Sequence, residues 1–145
     1  MKKVIAVILV TIFMGVSTCP MSARAASADD VLALMNAERA KAGLSELVMN
    51  DDLVAVAQTR AIECSTKFSH TRPNGKAWYT VSSLTNGENL AHAVNNNQQK
   101  PENVVLAWML SPTHKANVLR ATASSVGIYY YYAENGETYI VCEFN

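Results

Sequence analysis

Three histidines and a glutamate carry most of the chemistry this sequence offers. His70 stands in Phe68-Ser69-His70-Thr71-Arg72-Pro73-Asn74-Gly75, between the end of an apolar helical stripe and a Pro-Asn-Gly turn. A loop beside a rigid element is where functional side chains gather. Glu88 lies in Gly87-Glu88-Asn89-Leu90-Ala91, and His114 in Ser111-Pro112-Thr113-His114-Lys115-Ala116-Asn117. Two imidazoles and one carboxylate suit Zn²⁺ with an open water position. Ser69 and Ser111, each close in sequence to one of these histidines, are conceivable nucleophiles. Every one of these groups also has a plainer reading: His70 bonding the last carbonyls of a helix, Glu88 capping a helix start, His114 at a surface turn. The chain has no helical pair of histidines four residues apart, no Cys-x-x-Cys and no nucleophile-elbow pattern around either serine. His92, just before an asparagine-rich loop, reads as a surface histidine. Glu63 is the nearest further carboxylate that could act as a base. It precedes Cys64 off the apolar stripe of its helix and so reads as solvated.

The elements that must position these groups are legible in part. Ser27-Ala28-Asp29-Asp30 reads as a capping box, followed by Val31, Leu34 and Met35 at helical spacing and a stop at Gly43. Asn50-Asp51-Asp52 opens a second helix whose stripe is Leu53, Val56, Ala57, Ala61 and Cys64. Between Phe68 and Gln99 the periodicity is lost. Lys100-Pro101-Glu102 opens a third helix with proline suited to its first turn; Val104, Val105, Trp108 and Met109 form its inner face, and Ser111-Pro112 ends it. Two runs rich in valine, isoleucine and tyrosine, 125–132 and 138–144, flank Asn135-Gly136, a strong hairpin signal. On the second run Ile140, Cys142 and Phe144 share one face, and Tyr139, Val141 and Glu143 the other. Both faces carry bulky apolar groups, so helices must cover both, giving an α+β chain folded as a three-layer α-β-α sandwich around a mainly antiparallel sheet. The tyrosines 129–132 read chiefly as packing, and Arg72 and Asn117 as loop anchors bonding backbone carbonyls.

Residues 1–25 read as a secretory signal peptide: Lys2 and Lys3, then an apolar run over 4–16, then Ala23-Arg24-Ala25 with small residues where a peptidase cuts. The run is too short to span a bilayer. Lipid attachment at Cys19 is disfavoured by Thr18 and Pro20. The expected organisation is therefore a leader, 1–25, and one domain, 26–145, with no transmembrane span, acting as a secreted or cell-envelope monomer. Without the leader, nine basic residues face 12 acidic ones, a charge of about −3. With no basic run, nucleic acid is not an expected partner. Cys64 and Cys142 remain as a pair in an exported chain, which favours a disulfide stapling the second helix to the sheet, with two buried thiols as the alternative.

The ordered segments Phe68-Ser69-His70-x-Arg72-Pro73-x-Gly75, Gly87-Glu88-Asn89-Leu90, Trp108-Met109-x-Ser111-Pro112-x-His114-Lys115-x-Asn117-Val118-Leu119 and Val126-Gly127-Ile128, with a closing aromatic strand, resemble the CAP superfamily in its bacterial secreted form. That family comprises the cysteine-rich secretory, antigen 5 and pathogenesis-related 1 proteins, and its unit is also called the SCP domain. The resemblance covers the chain from Asn36 and Arg39 to Phe144. It implies the same sandwich and a cleft where two histidines and two glutamates converge, matched here by His70, Glu88 and His114. Ser111 stands where eukaryotic relatives carry the second glutamate, and the resemblance implies that it joins the cleft as a hydroxyl. It further implies a cleft able to hold Zn²⁺ or another divalent metal through His70, Glu88 and His114, and ligands such as a lipid or a cell-envelope component. With one carboxylate fewer, the expectation is a non-catalytic binding module, the alternative being a metal-dependent hydrolase or peptidase in the same cleft.

Overall fold

The computed structural model describes residues 21–145, with side chains from residue 27 onward. The expected leader thus lies outside the described residues, except that the backbone of its last five residues already belongs to a helix. That helix, α1 (Met21–Lys41), is followed by β1 (Val48–Met49), α2 (Asp51–Thr66), a 3₁₀ turn (Trp78–Val81), β2 (Gly87–Ala93), α3 (Pro101–Leu110), α4 (Pro112–Val118), β3 (Ser125–Tyr132) and β4 (Thr138–Phe144). Because α1 is already helical at Met21, Ser27 lies inside it and is not the N-cap that the local pattern predicts. Its other end is as expected, with Gly43 at φ 71° in the left-handed region that glycine alone enters cheaply.

Among the described residues the strands form one sheet in the order β1-β3-β4-β2, with β1 parallel to β3 and the other pairs antiparallel. The β3–β4 hairpin turns at Asn135-Gly136, where Gly136 takes φ 84° and Asn135 Oδ1 accepts from the Glu137 amide at 3.1 Å. Alternation along the strands divides the core in two. Tyr130, Ile140, Cys142 and Phe144 pack with Val31, Met35, Val105 and Trp108 beneath α1 and α3. Leu90, Tyr139 and Val141 pack with Ala57, Ala61 and Cys64 of α2. The three-layer α-β-α sandwich is therefore the observed fold. In its α2 layer the helix lies directly on the sheet because Gly127 of β3 has no side chain; a β-carbon there would overlap the backbone of Leu53 and Val54.

This division corrects the expected disulfide. Cys64 projects from α2 into one cluster and Cys142 from β4 into the other, so the sheet stands between the two sulfurs, and both are buried free thiols. A disulfide needs Cβ atoms about 4 Å apart on facing vectors.

Buried polar side chains fix the connections. Arg39, fully buried at the end of α1, donates to the carbonyls of Ser45, Val118, Arg120 and Ala123 at 2.8–3.2 Å, tying α1 to the segment that follows α4. Asn36 brackets Leu47 through both its backbone groups. Edge strand β2 is closed to further pairing: the Trp108 indole donates to the Leu90 carbonyl at 3.0 Å and Asn117 to that of Glu88 at 3.3 Å. Covering an edge in this way prevents a second chain from adding to it.

Candidate functional site

The site is built around the Gly87-Glu88-Asn89 segment of β2, whose consecutive side chains point to opposite faces of the sheet. Glu88 points to the α2 layer. Arg60 of α2 donates to it through Nε at 2.6 Å and Nη2 at 3.3 Å, and His70 Nδ1 lies 2.7 Å from its Oε1. Asn89 points the other way, donating to the His114 carbonyl at 3.1 Å and accepting from Asn117 at 2.9 Å. Gly87 leaves room for this second grip, since a β-carbon there would strike the side chains of Arg120 and Asn117. The two histidines thus arrive from different layers and meet past the edge of β2, ring centroids 6.3 Å apart at 52°.

Arg60 organises the α2 side. Besides Glu88 it bonds Glu63 at 2.6 Å and the Ser69 carbonyl at 2.7 Å, the latter fixing the backbone just before His70. Glu63 in turn takes Arg72 at 2.7–3.1 Å. Glu63 is therefore held by two arginines rather than solvated, and the Arg72 side chain anchors its loop through that carboxylate, while its backbone amide donates to the Lys76 carbonyl at 2.8 Å.

These contacts set the charges. Burial works against ionisation of Glu88, yet hydrogen bonds from His70 and Arg60 hold its carboxyl below the ordinary range. Arg72 and Arg60 do the same for Glu63 against a smaller burial effect. His114 is pushed down, first by burial and then by the proximity of His70, which favours its neutral, ligand-competent form at pH 7. With Glu88 an acceptor at Nδ1, His70 carries its proton there and leaves Nε2 for the cleft, where its side chain is 51% exposed.

His70, Glu88 and His114 do come together, but not as three ligands. Glu88 is fully enclosed and turned to Arg60, and among the described residues no three His, Cys, Asp or Glu side chains are grouped to hold one ion. What meets there is a pair of imidazoles, with Glu88 behind one of them as the carboxylate that orients it. Ser111 sits at the α3–α4 junction with its hydroxyl 3.3 Å from that of Thr113. His92 stacks on Tyr139 at 4.6 Å and pairs with Glu137 at 3.0 Å, outside the cleft. Sequence reasoning missed Arg60, Asn89 and the fully buried Glu143. Arg60 falls seven residues after Leu53 and four before Cys64, on the apolar stripe itself, and a cation there is the signal of a buried partner.

Comparison with known proteins points one way. A family model described as the cysteine-rich secretory protein family matches residues 32–144. Bacillus subtilis YkwD is 34% identical over 108 residues, which make up 69% of this chain and 40% of that protein, so the chain spans less than half of that relative's length. Similar solved structures include an outer surface protein from Borrelia burgdorferi, with TM-score 0.64 and 22% identity over 80% of this chain and 91% of that one. An extracellular protein containing an SCP domain from Bacillus anthracis gives 0.66 and 15% over 84% and 41%. NaASP2 with Zn²⁺ gives 0.66 and 15% over 88% and 84%. At these identities the structural likeness is one of fold.

Proposed function

Since the chain belongs to the cysteine-rich secretory protein, or CAP, family, we propose that residues 26–145 form an extracellular, non-catalytic binding module whose cleft seats a divalent cation between His70 and His114. The observation that supports this reading is the 2.7 Å contact between His70 Nδ1 and Glu88, which fixes the tautomer and leaves the other ring nitrogen unprotonated, with the His114 ring centred 6.3 Å away. Relatives described as outer surface or extracellular proteins, and one solved with Zn²⁺, support the compartment and the ion. No described helix is long and apolar enough to cross a membrane, and residues 1–25 would serve as the leader. The open positions on the cation would take a small ligand, a lipid headgroup or a cell-envelope component.

A metal-dependent hydrolase is the second reading, favoured by the same His70–Glu88 pair, which resembles a general base with its orienting carboxylate. Against it, both nearby carboxylates are neutralised by arginines, and neither serine hydroxyl is paired with a histidine: Ser69 Oγ accepts from the Thr71 amide and Ser111 meets Thr113.

Calorimetric titration of residues 26–145 with Zn²⁺ tests the first reading. One site is expected, weakened at least tenfold in the His70→Ala, His114→Ala double variant; equal binding by the two proteins would sink it. Glu88→Gln should weaken the site by about 10–100-fold, the usual cost of losing an orienting partner. Turnover of peptides or esters that depends on both histidines would favour the hydrolase instead.

A further inference from the structure

Beneath the histidines lies a second carboxyl. The β2–β4 register sets Glu143 directly opposite Glu88, so both side chains point into the α2 layer. Both are enclosed: Glu143 is 0% exposed, as is the side chain of Glu88. Like charges placed directly opposite on neighbouring strands repel, and both side chains are out of reach of bulk solvent. On its other side Glu143 faces Gly127 of β3, which offers no side chain. Arg60 is the cation facing it from α2, and the hydrogen bonds of Arg60 go to Glu88, Glu63 and the Ser69 carbonyl. The Thr85 hydroxyl donates to Glu143 Oε2, while Oε1 meets no donor among the described residues. Cys142, its neighbour on β4, faces away into the other layer.

Two features of this cluster demand a proton. Three carboxyls, Glu63, Glu88 and Glu143, share two guanidiniums, Arg60 and Arg72, so full ionisation would leave an uncompensated buried charge. The Glu143 carboxyl also faces that of Glu88 across the β2–β4 register, within hydrogen-bond reach, and two acceptors so placed are satisfied only when one of them carries hydrogen. We propose that Glu143 is a carboxylic acid in the folded protein, donating to Glu88, and that it is the positioning residue behind the His70–Glu88 pair. Glu88 is then held by three donors, Arg60, His70 and Glu143, which keeps its Oε1 aimed at His70 Nδ1. Burial and the Glu88 charge push Glu143 up to about 9, against only the Thr85 hydroxyl and the more distant Arg60. The role does not depend on whether the histidines hold a cation.

The arrangement has a signature in stability. Unfolded, Glu143 ionises near the ordinary value of 4.5; folded, it keeps its proton to about 9. Between these limits the native state binds the extra proton, so this contribution is complete below the lower value and is lost as pH rises through the upper one. Glu88 acts in the opposite sense, its contribution being lost as pH falls below the carboxylate range. Burial also pushes up Cys64, Cys142, Tyr130 and Tyr139, but their contributions are lost only above the ordinary thiol and phenol ranges, so the loss from pH 5 to about 8 belongs to Glu143.

Thermal unfolding of wild type and Glu143→Gln from pH 5 to 9, with a chelator present so that cation binding plays no part, tests the idea. Gln mimics the protonated acid: it accepts from Thr85 and donates to Glu88. The two proteins should match near pH 5, and the wild-type midpoint should fall increasingly below that of Gln as pH approaches 9; parallel curves overturn the proposal. Infrared spectra of the wild type alone provide a check independent of any variant, since a folded protein lacking the protonated-carboxyl carbonyl band at pH 7 also overturns it. The positioning role is read by nitrogen NMR of His70. One Nδ1–H tautomer should persist in Glu143→Gln and give way to a mixture in Glu143→Leu, and a single tautomer in both would reject that role.

Discussion

Arg60 shows how much of this site rests on a side chain with no chemistry of its own. It neutralises Glu88, shares Glu63 with Arg72 and fixes the carbonyl before His70. Replacing it with methionine, similar in length and apolar, should leave Glu88 buried without its cation. A loss of about 3–5 kcal/mol is expected for breaking one side of a buried pair, measured by urea unfolding at pH 7. His70, Glu88 and His114 stood out in the sequence as candidates because they sit in short segments with turn and glycine signals, but those signals were weak and it was the family resemblance that grouped the three in one cleft. Arg60 and Glu143 could not be assigned roles so easily, because a charge on a helix or strand is ordinarily solvated. Only its place on the Leu53–Cys64 stripe marked Arg60 as buried, and only the alternation with Tyr139 and Val141 marked Glu143. Reading those two positions as polar exceptions to a covered face would have pointed to a pair.

At the level of elements, the β3–β4 hairpin follows from its Asn-Gly turn and branched, aromatic strands, and its observed limits, Ser125–Tyr132 and Thr138–Phe144, are the expected ones. Strand β2 was not legible. Gly-Glu-Asn-Leu-Ala-His-Ala is a poor strand former, and what makes it extended is its neighbour β4, together with Trp108 and Asn117 on its open side. Helix α4 was hidden for the opposite reason. Pro112 reads as the end of α3, yet the same proline occupies the first turn of a new helix after Ser111. The contact between α2 and β3 gives the sharpest test at this scale. Gly127→Ala forces α2 away from the sheet, because the added carbon meets backbone that cannot rotate aside. It should cost about 3 kcal/mol or more by chemical unfolding. Gly87→Ala displaces the end of the Arg120 side chain and the Asn117 amide, both able to yield, and should cost less.

For the molecule as a whole, the sandwich was legible because both faces of β4 are apolar, but which helix covers which face was not. That single ambiguity produced the expected disulfide. A helix followed by a strand with a cysteine in each can be stapled only if the cysteine faces that helix, and Cys142 faces α1 and α3. Peptide mapping after alkylation should therefore find Cys64 and Cys142 unmodified in the native protein and both modified in denaturant without reductant. Burial, which pushes Cys64 up to about 11, adds to the protection. A disulfide-linked pair of peptides would refute the arrangement. The meeting of the two histidines past the edge of β2 has a mechanical consequence. His70 is anchored to the layer of α2, and His114 to α4, which Arg39 and Asn89 tie to the opposite layer. Their separation is thus a gauge of how far one layer has slid over the other, and anything gripping both rings would act as a clasp across the sheet, resisting shear that neither layer resists by itself.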